Sequence, residues 1–214
     1  MWLDSIRRGH VRYRFIGSLP KGGTVLDLGC GRGELQGMLK DFRPDLRFLS
    51  VDCVDFAACF PSGTFFQVDA SREPLPFESA SVDAVFGSHV LEHVLSYTFL
   101  LGEVRRVLKA DGALYFEAPG TRMLYSPSFC PSRGRGACCN FYDDPTHIRP
   151  LTRRALCRLG RQIGLQNLRV GFARNWWYSL LSPAMIPFCI LKRDAEGLNV
   201  ILWSLMGSCV YQWG

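Results

Sequence analysis

The fold is decided by the stretch Val25-Leu26-Asp27-Leu28-Gly29-Cys30-Gly31-Arg32-Gly33. The apolar, β-rich residues 24–28 predict a buried strand, and residues 34–42 predict the helix that follows it. Between them, glycines at alternate positions let backbone N–H groups approach a ligand where a side chain would clash. The pattern therefore predicts a strand, a ligand-binding turn and a helix in immediate succession.

The spacing of the glycines separates two classes of cofactor. The dinucleotide fingerprint requires G-x-G-x-x-G, whereas here the third glycine comes one residue early and Glu34 occupies the expected position. An acid at the start of a helix disfavours a phosphate, because anions bind the positive end of the helix. Asp27 and Glu34 instead favour a ligand with a positive group. The chain also has no G-x-x-x-x-G-K-[ST] run, which argues against a P-loop nucleotide hydrolase.

The rest of the chain repeats the alternation of strand and helix. Such alternation predicts βαβ units, a parallel sheet and, from the right-handed crossover rule, a doubly wound α/β fold. Ligands bind such sheets beyond the carboxyl ends of the strands. Helices are predicted over 2–17, 34–42, 96–108 (ended by Asp111-Gly112) and 152–163, and strands over 24–28, 47–51, 64–68, 82–87, 113–117 and 165–172.

The charge of the chain is distributed unevenly. The 214 residues are 48% hydrophobic and 21% charged, which predicts a globular domain with a buried core and excludes global disorder. The formal net charge is +6. Residues 1–150 hold 17 basic and 17 acidic side chains, so the last 64 residues, with eight basic and two acidic, carry the whole excess. This asymmetry hints at an anionic partner for the carboxyl-terminal part.

The nine cysteines indicate reduced thiols in a cytosolic protein. Their count is odd and no CxxC occurs, which argues against a disulfide framework and a zinc ribbon. Cys130, Cys138 and Cys139 match the spacing of no common metal site, and no metal is expected. The first eight residues lack an apolar segment, so no secretory signal is predicted.

The run Asp27-x-Gly29-x-Gly31-x-Gly33 resembles the first motif of class I S-adenosylmethionine-dependent methyltransferases. One glycine motif is weak evidence, but further matches follow in order on the predicted elements. They are Asp52 after the second strand, Asp69-Ala70 after the third, Leu75-Pro76-Phe77 with residues 81–85, Ser88-His89-Val90-Leu91-Glu92-His93, and residues 108–114. The resemblance covers residues 22–120.

The resemblance implies a cofactor, S-adenosyl-L-methionine, and a set of residues that bind it. Asp52 would accept hydrogen bonds from the ribose hydroxyls, and Asp69-Ala70 would lie at the adenine edge. Cys30 is interpreted as a small spacer in the turn and not as a nucleophile. The implied cofactor-binding residues are Asp27, Gly29, Cys30, Gly31, Gly33, Asp52, Cys53, Asp69, Ala70 and Ser88.

The family also implies a Rossmann-like, seven-stranded, mostly parallel sheet whose last two strands are 165–172 and 208–213. The chain is interpreted as a single domain, 1–214, with a hydrophobic helical insertion near its C-terminus. Its expected parts are an N-terminal helix (1–20), a cofactor-binding core (22–120), an active-site loop (121–150) and an acceptor-side region (151–214).

The segment 143–152, DDPTHIRPLT, resembles an element of some bacterial methyltransferases that appear beside polysaccharide or lipid-linked sugar synthesis. The expected acceptor is a small molecule, a glycan or a lipid-linked compound, methylated on a hydroxyl. A base must then take the hydroxyl proton, and the candidates are His89, Glu92, His93 and His147, of which His147 and His89 are preferred. Glu92 and His93 are interpreted as helix-start residues. Arg149 either binds an anionic acceptor or fixes the loop.

The carboxyl-terminal region contains two uncharged stretches, 175–191 and 197–214. Pro183 and Pro187 interrupt the first, which argues against a membrane span. A helical hairpin before the last strand is predicted, which either packs over the acceptor site or contacts a bilayer surface through residues 175–207. A plain core element or a homodimer interface is the alternative. Arg154, Arg158 and Arg161 share one face of the preceding helix, and such a face is ordinarily solvated. The aromatic residues that follow are not interleaved with charge, which argues against nucleic-acid binding.

Three hypotheses of function follow from these patterns. The leading one is a methyltransferase that is cytoplasmic or peripheral at the inner face of the membrane. The alternative is a non-catalytic cofactor-binding partner module in a biosynthetic assembly, against which the intact acidic and glycine positions argue. The third, a nicotinamide oxidoreductase, conflicts with the early third glycine.

Overall fold

The computed structural model describes residues 9–39, 41–126, 140–192, 195–207 and 209–214, which form one seven-stranded sheet flanked by helices. The strands lie in the order β3-β2-β1-β4-β5-β7-β6. Their bounds are β1 Thr24–Leu28, β2 Arg47–Asp52, β3 Phe65–Gln67, β4 Val82–Ser88, β5 Leu108–Pro119, β6 Arg169–Phe172 and β7 Cys209–Trp213.

Only one strand opposes the others in direction. β1 to β5 pair in parallel, whereas β7 is antiparallel to both β5 and β6. The carboxyl ends of β1 to β6 therefore meet at one edge of the sheet. This topology confirms the predicted doubly wound, mostly parallel fold, and it gathers the turns that follow the strands at the ligand-binding edge.

Helices cover both faces of the sheet. Adjacent strand residues point to opposite faces, so Leu26 joins the core beneath α3 and α4, while Val25 joins the core beneath α1 and α2. Thr152 caps α4 by accepting a hydrogen bond from the backbone N–H of Ala155, a role typical of threonine. The helices are α1 Val11–Ser18, α2 Glu34–Leu39, α3 Tyr97–Val107, α4 Arg153–Gln162, α5 Trp176–Lys192 and α6 Ala195–Met206.

The helix predicted over 96–108 is confirmed within one residue at each end, but the predicted start of β5 at residue 113 was wrong. The helix ends at Val107 and β5 begins at the next residue, so Asp111-Gly112 lies inside the strand. Leu108 is buried and pairs with Val82, and the register between β4 and β5 then shifts before Ala84. A helix can pass directly into a strand here because a buried leucine anchors the first strand residue and the irregularity absorbs the polar residues that follow.

Other element bounds differ by a few residues. The strand expected over 165–172 begins only at Arg169, after Asn167 adopts a positive φ of 54°. The described part of the N-terminal helix begins at Val11, with His10 as its N-cap. Residues 1–8 and the cysteine group of Cys130, Cys138 and Cys139 lie outside the described residues.

The helical hairpin predicted before the last strand is formed by α5 and α6. Pro183 and Pro187 lie inside α5, and the helix continues through both. One side of α5 buries Ser182 and Cys189, whereas several large apolar side chains stay exposed on the other. Within the described residues, no helix has both the length and the apolar character that a membrane crossing requires.

A buried ion pair ties α1 to the sheet. The Glu117 carboxylate at the end of β5 is 3% exposed and accepts hydrogen bonds from Arg12 Nη2 at 3.2 and 3.3 Å and from the Tyr115 hydroxyl at 2.6 Å. Burial opposes ionisation, but the charge of Arg12 outweighs it and holds the pKa of Glu117 at about 2, below its ordinary 4.5. The pair therefore stabilises the fold where Glu117 is ionised.

We predict that Glu117→Gln lowers the free energy of unfolding at pH 7 by about 3 kcal/mol or more, because it leaves the Arg12 charge buried without a counterion. The pKa of Glu117 is depressed on folding, so its contribution is present above pH 4.5 and is lost as pH falls towards 2. Urea unfolding at pH 7 and pH 3 should show the variant and the wild type converging in acid. Glu78→Gln, at an exposed site, is the control; an undiminished gap at pH 3 would contradict the assignment.

Candidate functional site

The turn after β1 has a conformation that only glycine tolerates. Gly29 has a φ of 69°, and a Cβ at this position would lie 2.4 Å from Cγ2 of Val90. Both the backbone angle and this contact exclude a side chain. Val90 belongs to the segment after β4, so the turn is held between two neighbouring strand ends.

Hydrogen bonds fasten the same turn to β2. The N–H groups of Gly29 and Cys30 donate to the Val51 carbonyl at 2.8 and 3.1 Å. The N–H of Gly31 donates to Oδ2 of Asp52 at 2.9 Å, and Oδ1 of Asp52 accepts from the N–H of Val54. Each carboxylate oxygen has a second lone pair, so Asp52 can hold the turn and still accept hydroxyl donors.

Asp27 brings an uncompensated acid to the end of β1. Its side chain is 3% exposed and Oδ2 has no hydrogen-bond partner. Burial, together with the nearby carboxylates of Glu34 and Asp52, raises the pKa of Asp27 to about 7. A buried acid among other acids is stabilised by a positively charged ligand. This orphaned oxygen and the side-chain-free turn fit a cofactor with a cationic group.

The structure places the other predicted cofactor residues around the same strand ends. Cys30 is buried, and burial with the charge of Asp27 raises the pKa of its thiol to about 12, which fits a spacer and not a nucleophile. Cys53 is exposed beside Asp52. Oδ1 of Asp69 accepts from the Ser71 backbone and hydroxyl.

Two further predicted positions follow the neighbouring strands. Ala70 is half-buried and packs against the core beneath α3. Ser88 ends β4, and its buried hydroxyl has no hydrogen-bond partner. A second orphaned polar group therefore lies at the carboxyl edge, on the strand next to Asp27. Two surface hollows, of about 500 and 690 Å³, lie elsewhere on the molecule and include none of these residues.

His89 follows β4 in a strained conformation with a φ of 58°. Its Nδ1 lies 3.1 Å from Oε1 of Glu92, and its ring stacks on Trp203 of α6 with 5.7 Å between ring centroids. Burial disfavours the charged ring, but hydrogen bonds to Cys209 and Glu92 raise the pKa of His89 well above its ordinary value. Trp203 of the helical hairpin thus lies directly against His89.

His147 reaches the same region from the long loop. Its Nδ1 lies 2.7 Å from the Phe141 carbonyl, which only accepts, so Nδ1 donates and Nε2 is the nitrogen with the lone pair in the neutral ring. Oδ2 of Asp144 lies 3.9 Å from Nε2. The ring centroids of His147 and His93 are 4.9 Å apart, and the N–H of Ile148 donates to the Glu92 carbonyl. The loop containing His147 is therefore packed against the segment containing His89.

Glu92 joins the two predicted catalytic histidines, a role the sequence did not indicate. It is fully buried, Oε1 contacts His89, and Oε2 has no hydrogen-bond partner. Glu92, His93 and His147 bring one ligand atom each within 4.8 Å of one another, and so do His89, Glu117 and Cys209. Both groups are close enough to share a proton or an ion. Glu92 lies in a short 3-10 turn before α3 and not at the start of that helix. The interpretation of Glu92 as a helix-start residue therefore missed its contact with His89.

Arg149 fixes the loop, although not by pairing with a carboxylate. It donates to the carbonyls of Val94 and Leu95, and its guanidinium lies 4.6 Å from the centroid of the Tyr97 ring. These contacts hold the loop against the start of α3. Of the two predicted roles for Arg149, the structural one is therefore supported.

Comparison with known proteins places this site in a family. The model of the methyltransferase domain family matches residues 6–170. A probable S-adenosylmethionine-dependent methyltransferase of Mycolicibacterium smegmatis is 28% identical over 75% of this chain, and a trans-aconitate 2-methyltransferase of an Azoarcus species is 26% identical over 77%. The chain spans 58% of the length of each.

A solved structure supports the fold. A methyltransferase from Archaeoglobus fulgidus superposes with a TM-score of 0.64 over 94% of this chain and 89% of that one, at 23% identity. The family match covers the glycine turn, the acid after β2, and both predicted histidines. The chain therefore belongs to the class I S-adenosylmethionine-dependent methyltransferases, an enzyme family, and its cofactor is S-adenosyl-L-methionine.

Proposed function

We propose that the protein transfers the methyl group of S-adenosyl-L-methionine to a hydroxyl of a small-molecule, glycan or lipid-linked acceptor. The observation that carries the proposal is buried Asp27, whose Oδ2 has no partner beside a turn that excludes side chains. The cofactor supplies an activated methyl group on a sulfonium. The protein must therefore mainly bind, align the acceptor and exclude water.

The residues around the glycine turn would hold the cofactor. Asp27 and Glu34 suit its amino group, because both are acids beside backbone that a ligand can approach. Asp52 has free lone pairs for two ribose hydroxyls. Backbone groups of Gly29, Cys30, Gly31 and Gly33, with Cys53, Asp69, Ala70 and Ser88, complete the proposed set, as the family resemblance implies.

His147 and His89 are proposed to serve the acceptor in different ways. Nε2 of His147 keeps a lone pair, so it can take the proton of a hydroxyl as the methyl group is transferred. The raised pKa of His89 favours its protonated ring, and a positive charge at that position would stabilise a developing alkoxide. Glu92 orients His89. The name of the Azoarcus relative, a trans-aconitate 2-methyltransferase, supports a small-molecule acceptor.

We also propose that residues 175–207 make peripheral contact with a membrane surface. The support is a set of exposed apolar side chains on α5, followed by Lys192. Exposed aromatic and aliphatic side chains on a helix that ends in a cation are typical of an interfacial helix. The exposed side chains are Trp176, Trp177, Leu180, Phe188, Ile190 and Leu191.

We predict that Asp27→Asn abolishes measurable binding of S-adenosylmethionine while raising the melting temperature. The wild-type affinity should increase as pH rises from 6 to 8, because Asp27 ionises near pH 7 and the ionised form binds the ammonium group. The pKa of Asp27 is about 7 in the folded protein and 3.8 in the unfolded chain, so ionisation of Asp27 lowers the stability of the ligand-free protein as pH rises. Asparagine does not ionise, so the variant does not lose this stability.

Calorimetry across this pH range and thermal unfolding at pH 7.5 measure the two effects. Asp55→Asn, an exposed acid three residues after Asp52, is the matched control and should bind like the wild type. Unchanged affinity in Asp27→Asn would refute the role of this carboxylate, and binding of NADH in preference to S-adenosylmethionine would refute the proposed function.

We predict that His147→Gln and His89→Gln lower methyl transfer by about 100-fold or more, the range of general acid–base effects, and leave cofactor affinity unchanged. Transfer of a labelled methyl group to lipid, glycan and small-molecule fractions of a cell extract provides the assay. Tyr142→Ala, at a largely exposed position of the same loop, should retain turnover. Full turnover in both histidine variants would exclude them as catalytic residues.

We predict that the protein cosediments with phosphatidylglycerol-containing vesicles at low salt and less at high salt. Replacing Trp176 and Leu180 by serine should reduce this binding, because both side chains are more than two-thirds exposed, at 70% and 69%. Leu95→Ser removes a comparably exposed leucine, at 77%, from another surface and should not. An equal loss of vesicle binding in the Trp176/Leu180 variant and in Leu95→Ser would contradict a specific interfacial role for α5. So would the absence of vesicle binding by the wild type at low salt.

A further inference from the structure

Three arginines surround one aromatic ring at the carboxyl edge of the sheet. The guanidinium carbons of Arg122, Arg153 and Arg174 lie 4.0, 4.7 and 5.8 Å from the centroid of the Phe172 ring. We call these three residues the arginine cluster. They come from the turn after β5, the first position of α4 and the segment after β6, so only the tertiary fold brings them together.

Two members of the arginine cluster point at the same place. A Cβ at Gly207 would lie 2.7 Å from Nε of Arg174 and 3.2 Å from Nη1 of Arg122. Arg122 also donates to the Met206 carbonyl at 2.8 Å, which holds it in position. Two guanidinium groups that approach one point repel each other unless an anion lies between them.

The described residues supply no such anion. None of the ion pairs within the described ranges involves a member of the arginine cluster. Nε of Arg174 is buried without a hydrogen-bond partner. The first turn of α4 contains no acid, and it presents Arg153 at the positive end of the helix dipole, where a cation is unfavourable. Arg122 and Arg153 are exposed and Arg174 is half-buried, so three positive groups meet here and the described residues contribute no counterion.

The arginine cluster lies beside the acceptor side of the proposed active site. Trp203, which stacks on His89, precedes Gly207 by four residues, about one helical turn along α6. The Ser126 hydroxyl lies 3.8 Å from the Met206 sulfur and closes the same end of the helix. An anion held by the arginine cluster would therefore lie about one helical turn from Trp203, the residue that stacks on His89.

We propose that the arginine cluster binds a phosphoryl group of the acceptor. Guanidinium forks match phosphate oxygens through paired, charge-assisted hydrogen bonds. Three arginines exceed the charge of one carboxylate and suit a phosphate, which carries about −1.5 to −2 at neutral pH, or a diphosphate. The proposal rests on the proposed function, because it names the substrate class of that site: an acceptor bearing a phosphate or diphosphate near its methylated hydroxyl.

The first experiment measures binding of inorganic pyrophosphate to the full chain by calorimetry and by thermal unfolding. Arg174→Gln should weaken binding by about 10-fold or more, the effect of losing a charge-assisted hydrogen bond. Arg153→Gln is the second variant. Arg154→Gln removes the same charge from the next residue, which lies on the solvated face of α4 and is not part of the arginine cluster, and it should bind like the wild type. Equal weakening in Arg154→Gln would reduce the effect to overall charge and overturn the proposal.

Thermal unfolding separates anion binding from packing on Phe172. Pyrophosphate should raise the melting temperature of the wild type and of Arg154→Gln, but much less that of Arg174→Gln and Arg153→Gln. If the arginines serve only to pack, all four proteins will respond equally to the anion, and the proposal fails.

A second set of ligands distinguishes the source of the phosphoryl group. A hexose 1-phosphate in solution represents a free acceptor, and vesicles containing phosphatidic acid represent a lipid-borne one. Arg174-dependent binding of either supports the proposal and assigns the source, whereas binding of neither overturns it. S-adenosylmethionine is titrated in parallel. Loss of cofactor binding with retained pyrophosphate binding would refute the proposed function alone, and the reverse would refute the phosphoryl site alone.

Discussion

The turn at Gly29 is the constraint on which the rest of the ligand edge depends. Gly29 has a positive φ, and a Cβ at this position would lie only 2.4 Å from Cγ2 of Val90. Because no side chain fits there, β1 can end directly beneath the segment after β4. The same turn donates two N–H groups to Val51 and one to Asp52, which joins it to the end of β2. The ends of three strands are thereby held together. Asp27 is buried beside them, near the carboxylates of Glu34 and Asp52.

Local patterns predicted β1, the glycine turn and α2, because the residues that form them are neighbours in the chain. They failed where a contact joins distant residues. Nothing in the spacing of His89 predicts Trp203, and nothing around Arg12 predicts Glu117. The start of β5 was misplaced for a related reason: Asp111-Gly112 is typical of a helix end, but burial of a leucine against β4 overrides that preference. Sequence periodicity reports local conformation, and long-range partners are decided by topology.

The arginines that give the carboxyl-terminal region its excess positive charge lie at two different places in the fold. Arg154, Arg158 and Arg161 lie on the solvated face of α4, as their helical spacing predicted. Arg153 and Arg174 turn instead towards the carboxyl edge, where Arg122 from the electrically neutral front joins them. Net charge alone could not make this distinction, because a solvated arginine needs no partner whereas a gathered group of them does.

The two ends of the site have opposite charge, and this follows from one electrostatic principle. Around the glycine turn, Asp27, Glu34 and Asp52 raise the free energy of the free protein until a cation enters, as the raised pKa of Asp27 indicates. Beside α6, the proposed phosphoryl site gathers the exposed Arg122 and the half-buried Arg174, which an anion would neutralise. Uncompensated buried charge destabilises the empty fold and is tolerated where a ligand relieves it. An enzyme that brings a cationic donor to an anionic acceptor therefore benefits from binding each beside side chains of the opposite sign.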